Sequence, residues 1–348
     1  MDPVVVLSVV AVAIVVIFDF TNGFHDASNI IATVIASRAM TPVQAVVLVA
    51  IFEFLGPLIV GTAVANTIGN FVDLSDLPPI NAVAVILCGI FAAIFWNVLT
   101  WRLGIPSSSS HALVGGLIGA VLVTAGAGFD DVEWGFAELL HGKITGVVKV
   151  LIGLVLSPIV GFGIGFLIHR TMGRLLQGAK PSVNKYLRRS QWVTSAGLAF
   201  SHGGNDAQKS MGVITMVLVL GGFLNEFVVP FWVISVCASA ITLGILSGGW
   251  RIVRTVGFGI YKVRPLHALN AQLTSAAVIL TASQFGAPVS TTHVVSSSIM
   301  GIGASERPKA VRWSKAQDIL RTWLITIPAA GVVGAVAALG VRLIFAIT

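Results

Sequence analysis

The sequence predicts an all-α polytopic membrane protein made of two inverted-topology repeats of five apolar segments each, with broken helices. Composition, loop charge and an internal repeat each point to it. Of 348 residues, 56% are hydrophobic and 10% charged, against about 25% charged in a soluble domain. Mean hydropathy is +0.95. A soluble interior has no room for so many uncharged runs of about 20 residues, the length that crosses a bilayer as a helix. The net charge of +7 is clustered in short loops, so it reads as a topology signal and no nucleic-acid partner is expected. Cys88 and Cys237 lie inside apolar segments and are expected to pack.

Apolar segments fall at 3–37, 43–66, 81–102, 106–125, 144–169, 192–222, 228–249, 266–285, 288–303 and 319–347. The first begins "MDPVVVLSVVAVAIVVIF", with no basic n-region and no A-x-A site, and is expected to be a membrane helix and not a cleaved signal. One set of loops is acidic: 67–80 (Asp73, Asp76), 126–143 (Asp130, Asp131, Glu133, Glu138) and 223–227 (Glu226). The other is basic: 170–190 (Arg170, Arg174, Lys180, Lys185, Arg188, Arg189), 250–265 (Arg251, Arg254, Lys262, Arg264) and 304–318 (Arg307, Lys309, Arg312, Lys315). With the basic loops in the cytoplasm the two sets alternate without conflict. The expected location is the plasma (inner) membrane, with both termini outside. Loop 170–190 then links a first repeat, 1–169, to a second, 191–348.

The repeat is collinear. At a shift of 180 residues Gly23, His25, Asp26 and Ala27 fall on Gly203, Asn205, Asp206 and Ala207. At 188, Gly56, Gly61, Thr67 and Gly69 fall on Gly244, Gly249, Thr255 and Gly257. At 182, "GIPSSSSHALVGGLIG" (104–119) falls on "GAPVSTTHVVSSSIMG" (286–301). An odd number of crossings per half turns the second copy upside down. Inverted repeats with interrupted helices are the pattern of secondary transporters, whose sites lie where the repeats meet. Segments 3–37 and 192–222 exceed one crossing, and each holds a polar stretch. A helix broken at mid-depth would account for both features.

Asp26 and Asp206 are repeat mates in apolar surroundings. A buried carboxylate costs several kcal/mol unless a cation or donor compensates it. They are the first candidates for a hard-cation site, with side-chain oxygens from Asn22, Asn29 and Asn205 and carbonyls at a helix break. An internal ion pair of Asp206 with Lys209, or protonated aspartates, is the alternative. Glu53, alone in "AIFEFLG", is a third cation or proton candidate, with Asp19 in reserve. The runs Ser108, Ser109, Ser110 and Ser290, Thr291, Thr292 each follow a proline at an expected helix start. Helix N-termini with added hydroxyls suit a tetrahedral oxyanion, and Asn22 and Asn205 are counted with this anion set. His111, His293, His25 and His202 flank these stretches as gating or proton-handling candidates. "GGNDAQKS" imitates a phosphate-binding P-loop, but Gln208 replaces the required glycine and no strand precedes it. Each histidine directly follows its hydroxyl run, and the duplication leaves no distinct nucleophile and base, so no enzyme is expected.

The stretch Gly23–Asn29, "HGGNDAQK" (202–209), Glu53 in "IFE" and the paired P-x-S-x-x-H runs resemble the inorganic phosphate transporter (PiT) family over nearly the whole chain. The resemblance implies phosphate import coupled to sodium or protons. It also implies Ser/Thr stretches at the tips of hairpins reaching mid-membrane, and a homodimer. Family members also carry metal–phosphate complexes with protons, or sulfate. The family signature usually reads G-x-N-D in both copies; here the first reads His25-Asp26. Sodium is expected as co-substrate, at Asp26, Asp206 and Glu53, and no cofactor. Hydrogen phosphate carries about two negative charges, and each costs about 2.3 kcal/mol to bring in against 100 mV. At least two coupled cations are therefore expected per phosphate.

Overall fold

The computed structural model describes residues 2–124, 126–248, 253 and 255–345. Gly249, Arg251 and Arg254, used above for the repeat and for loop charge, lie outside them. Proline and hydroxyl caps start most helices. α1 (Pro3–Ala36) opens on Asp2, whose carboxylate takes the Val4 N–H, and α2 (Pro42–Val60) on a Thr41–Gln44 capping box. A short α3 (Ala63–Gly69) follows, so segment 43–66 is two helices joined at Gly61 and Thr62. Then come α4 (Pro79–Leu103), α5 (Ser109–Leu122), α6 (Phe136–Leu140), α7 (Gly146–Leu175), α8 (Val183–Leu220) and α9 (Phe231–Ser247). A π-helical turn (Thr255–Gly259) precedes α10 (Pro265–Gln284), α11 (Thr291–Glu306) and α12 (Trp313–Phe345). Among the described residues there is no strand beyond one isolated bridge, Val72–Val132. Residues 170–190 are largely helical, leaving a connection of only 176–182.

Five helices, α1, α2, α4, α7 and α12, are long and apolar enough to cross a membrane. Their outward faces expose Val9, Ile59, Phe91, Val155 and Val332, while the interior buries Asp, Glu, His, Asn and Lys side chains. Apolar groups outside and polar groups inside are what a lipid solvent selects. This is the architecture of an integral membrane protein. α8 runs through the centre, buried almost throughout from Ser195 to Val217.

The predicted mid-depth breaks in 3–37 and 192–222 are absent: α1 and α8 are continuous helices of 34 and 38 residues. Their polar residues are met laterally by side chains of other helices, so the backbone need not unwind. Glycine permits the close approach. A Cβ at Gly23 would lie 2.1 Å from the Ile241 carbonyl oxygen, and one at Gly203 would lie 2.3 Å from that of Glu53. Ile241 stands 188 residues after Glu53, so one contact recurs with the halves exchanged. Helix packing follows the same exchange: α1 packs on α9 as α8 packs on α2, and α5 on α12 as α11 on α7. The helix interruptions lie elsewhere, between α4 and α5 and between α10 and α11. The repeat mates Gly104 (φ 69°) and Gly286 (φ 63°) open them in the left-handed region.

Candidate functional site

α1, α2 and α8 bring four carboxylates, Asp19, Asp26, Glu53 and Asp206, into the interior, each at most 2% exposed. His202 on α8 joins three of them. Its Nδ1 is 2.5 Å from Glu53 Oε1. Its Nε2 lies 3.8 Å from Asp26 Oδ2 and 3.6 Å from Asp206 Oδ2, beyond hydrogen-bonding range, and has no partner. With Glu53 ionised, Nδ1 carries the donated hydrogen, and a neutral ring then aims its Nε2 lone pair at two carboxylate oxygens. A positive species there, a proton or a metal cation, removes that repulsion. Asp26, His202 and Asp206 offer three ligand atoms within 4.8 Å of one another.

The aspartates are balanced differently. Asp26 Oδ1 receives His25 Nδ1 (2.8 Å), Asn29 Nδ2 (3.0 Å) and Thr292 Oγ1 (3.3 Å). Asp206 receives Lys209 Nζ at 2.7 Å and Asn22 Nδ2 at 3.2 Å. The internal ion pair is therefore present at Asp206. The unwound carbonyls expected beside both aspartates are not, because α1 and α8 are unbroken. Side-chain acceptors remain open instead: Asn22 Oδ1, Asn29 Oδ1, Asn205 Oδ1, Glu53 Oε2 and both oxygens of Asp19 are buried without a hydrogen bond.

The hairpin tips close the site. Ser108 and Ser290 are N-caps, accepting the His111 and His293 N–H at 3.2 and 3.4 Å. As caps these two hydroxyls use only an acceptor lone pair, and each keeps its O–H to donate. Ser110 donates to the Val289 carbonyl (3.2 Å), which also accepts from Lys209 (3.3 Å), so the two tips meet. Thr292 takes the Asn29 amide at 2.8 Å. Thr291 Oγ1 is buried and unpartnered, and Ser109, its counterpart in the opposing run, is buried too. Asn205 turns its amide to Ser283 Oγ (2.8 Å) and the Ala287 carbonyl (3.3 Å), leaving only its oxygen free. His111 and His293 face each other with ring centroids 4.6 Å apart, and Trp323 stacks on His293 at 3.7 Å.

Several residues of the site were not foreseen from sequence. Thr100 and Ser107 lie 3.4 Å from His25 Nε2. Ser283 anchors Asn205 and Trp323 covers His293. Gln208, read above only as a break in a P-loop pattern, caps α3 by accepting the Val64 and Ala65 N–H groups at 2.7 and 3.3 Å. Ser107 belongs to a run already singled out. The others carry no local signal, because their partners lie on distant helices.

The model of the phosphate transporter family matches residues 22–334. A Bacillus subtilis (strain 168) protein described as "Probable low-affinity inorganic phosphate transporter" is 42% identical, over 99% of this chain and 100% of its own length. One from Rhizobium meliloti (strain 1021) with the same description is 42% identical, over 93% of each. A solved structure described as "The sodium-dependent phosphate transporter" shares the fold, with a TM-score of 0.84 at 24% identity, over 97% of this chain and 100% of that one. That family comprises transporters and not enzymes. On the family match and the two relatives, the chain belongs to the phosphate transporter family.

Proposed function

We propose that this protein imports inorganic phosphate by symport with cations, sodium first, through the plasma (inner) membrane. Its two halves are inserted in opposite senses and both termini face outside. The observation that carries this reading is the convergence on His202. Two aspartates from the two motif copies face a ring nitrogen, Nε2, that has no partner, and Glu53 holds the ring by its other nitrogen. A cation bound there neutralises a group that is otherwise strongly negative, and the hydroxyls and amides of the α5 and α11 tips then face an anion beside it. Phosphate is supported as the anion by the relatives' descriptions.

Sodium is a hard cation that prefers oxygen ligands. The open oxygens of Asn22, Asn29, Asn205, Glu53 and Asp19 support it. Ser108, Ser109, Ser290 and Thr291 are the hydroxyls assigned to the anion, with Ser110 tying the tips together at Val289 and His111 and His293 closing over them. The inverted arrangement is supported by contacts that recur with the halves exchanged and by the sorting of loop charge.

A proton is the second reading, and one observation favours it: the central ligand atom is a histidine nitrogen, which binds a proton far better than it binds sodium. The test is uptake of labelled phosphate into proteoliposomes with sodium and pH gradients imposed separately. A sodium gradient alone should drive accumulation, and His202→Gln should weaken sodium-driven uptake without abolishing it. Accumulation driven only by a pH gradient, lost in His202→Gln, selects the proton. Downhill equilibration without accumulation would replace the symporter by a channel, and full competition by sulfate would replace the substrate.

A further inference from the structure

Away from the site, an apolar groove of about 610 Å³ runs between α7 and α10, with a single lysine at one end. Ile152, Leu156 and Val160 on α7 and Val278 and Phe285 on α10 line it, spaced as one helical stripe on each. Leu156 is 51% and Phe285 75% exposed, so the groove opens outward from the fold. From Lys149 to Ile164 the stripe runs about 22 Å at 1.5 Å per residue, longer than the roughly 15 Å of one leaflet's hydrocarbon. Lys149 lies in the first turn of α7, where the helix leaves the loop 126–143. Its ammonium donates to Thr67 Oγ1 at 3.1 Å, and no carboxylate pairs with it among the described residues.

We propose that this groove binds one anionic phospholipid, its acyl chain along the α7–α10 stripe and its phosphate on Lys149. A path for hydrogen phosphate would need donors along its length, and beyond Lys149 only Ser157 and Thr281 offer any. A second copy of the chain pressed onto the groove would strand an unpaired ammonium in an apolar contact, which is costly. A lipid phosphate removes that cost, while the chain covers the apolar wall. The groove also touches the hairpin tip from behind. Ala287 and Val289 line it, and their carbonyls accept from Asn205, and from Ser110 and Lys209, inside the site. The inference rests on membrane placement of the fold and stands whether or not phosphate is the cargo.

The test is native mass spectrometry of the detergent-purified full chain, titrated separately with phosphatidylglycerol and phosphatidylcholine. One exposed ion pair favours the anionic lipid by about two- to fivefold. Lys149→Met should abolish that preference while phosphatidylcholine still binds. Ala277→Trp, which fills the groove from an exposed position, should weaken both lipids; Thr281→Phe serves if that variant does not fold. Equal binding of the two lipids by the unaltered protein, or variants that bind as it does, would overturn the proposal. So would dissociation of a dimer by Ala277→Trp with lipid binding unchanged, which assigns the groove to a second copy. Loss of inorganic phosphate binding in Lys149→Met with lipid binding intact would overturn it too, by placing Lys149 on the substrate path.

Discussion

The two copies of the polar motif, around Asp26 on α1 and Asp206 on α8, share a backbone setting and differ in charge balance. Each crosses a partner helix at a glycine pressed against a carbonyl, Gly23 on Ile241 and Gly203 on Glu53. Each sends an aspartate toward His202. Around Asp26 the nearest base is His25, at 2.8 Å; around Asp206 it is Lys209, at 2.7 Å. One half therefore holds a carboxylate matched by a lysine, and the other holds one matched by a histidine and an amide.

The sharpest break in that comparison comes from the aspartates. In Asp206→Asn the buried Lys209 loses its counter-charge, an uncompensated-charge loss of about 3–5 kcal/mol. A lowered midpoint in a detergent melt should report it, and Asp206→Asn/Lys209→Met should recover most of the stability. Asp26→Asn strands no lysine. It weakens the charge-assisted bonds to its Oδ1, worth about 1.5–3 kcal/mol, so it should melt below the unaltered protein but above Asp206→Asn, and phosphate uptake should fall. Equal loss of stability in both variants would show that the halves are balanced alike.

A smaller effect probes what the halves have in common. Gly23→Ala and Gly203→Ala each press a methyl group against a backbone carbonyl that cannot give way, so each should cost about 1–3 kcal/mol of overpacking. The two losses should agree within about 0.5 kcal/mol, read as matched shifts in the melt. A cost confined to one copy would mean that only that crossing is tight.

The sequence made the repeat legible because tight crossings and capped breaks need particular residues at fixed offsets. Gly23 with Gly203, Gly104 with Gly286 and Ser108 with Ser290 are such pairs. The membrane class followed from hydropathy alone. The site was legible as a list of residues and only partly as an arrangement. The ion pair of Asp206 and Lys209, three residues apart on a helix, could be weighed from spacing. The pairs Glu53–His202, Asn29–Thr292 and Asn22–Asp206 could not, since they are 149, 263 and 184 residues apart. The same blindness produced the mistaken helix breaks: polar residues in an apolar run imply either unwound backbone or lateral partners, and only the fold distinguishes them.

The hairpins themselves differ most gently, and at their bases. The second is fastened where α10 begins and α11 ends. Glu306 meets Arg264, His267 Nε2 at 2.6 Å and Tyr261 Oη at 3.0 Å. The first has no charged residue near its base, between 77 and 82 or between 118 and 124. Burial works against the Glu306 carboxylate, but Arg264, His267 and Tyr261 outweigh it and hold it down to about 2, against about 4.3 for a free glutamate. A depressed carboxyl stabilises the fold above its unfolded value, and the contribution fades as pH falls from there through its folded value. The melting difference between the unaltered protein and Glu306→Gln should therefore be positive, small as for other half-exposed pairs, and constant from pH 7 to about 5. It should shrink between about 4 and 2. A difference that disappears already near pH 6 would place the fastening on the histidine's charge and not on the carboxylate.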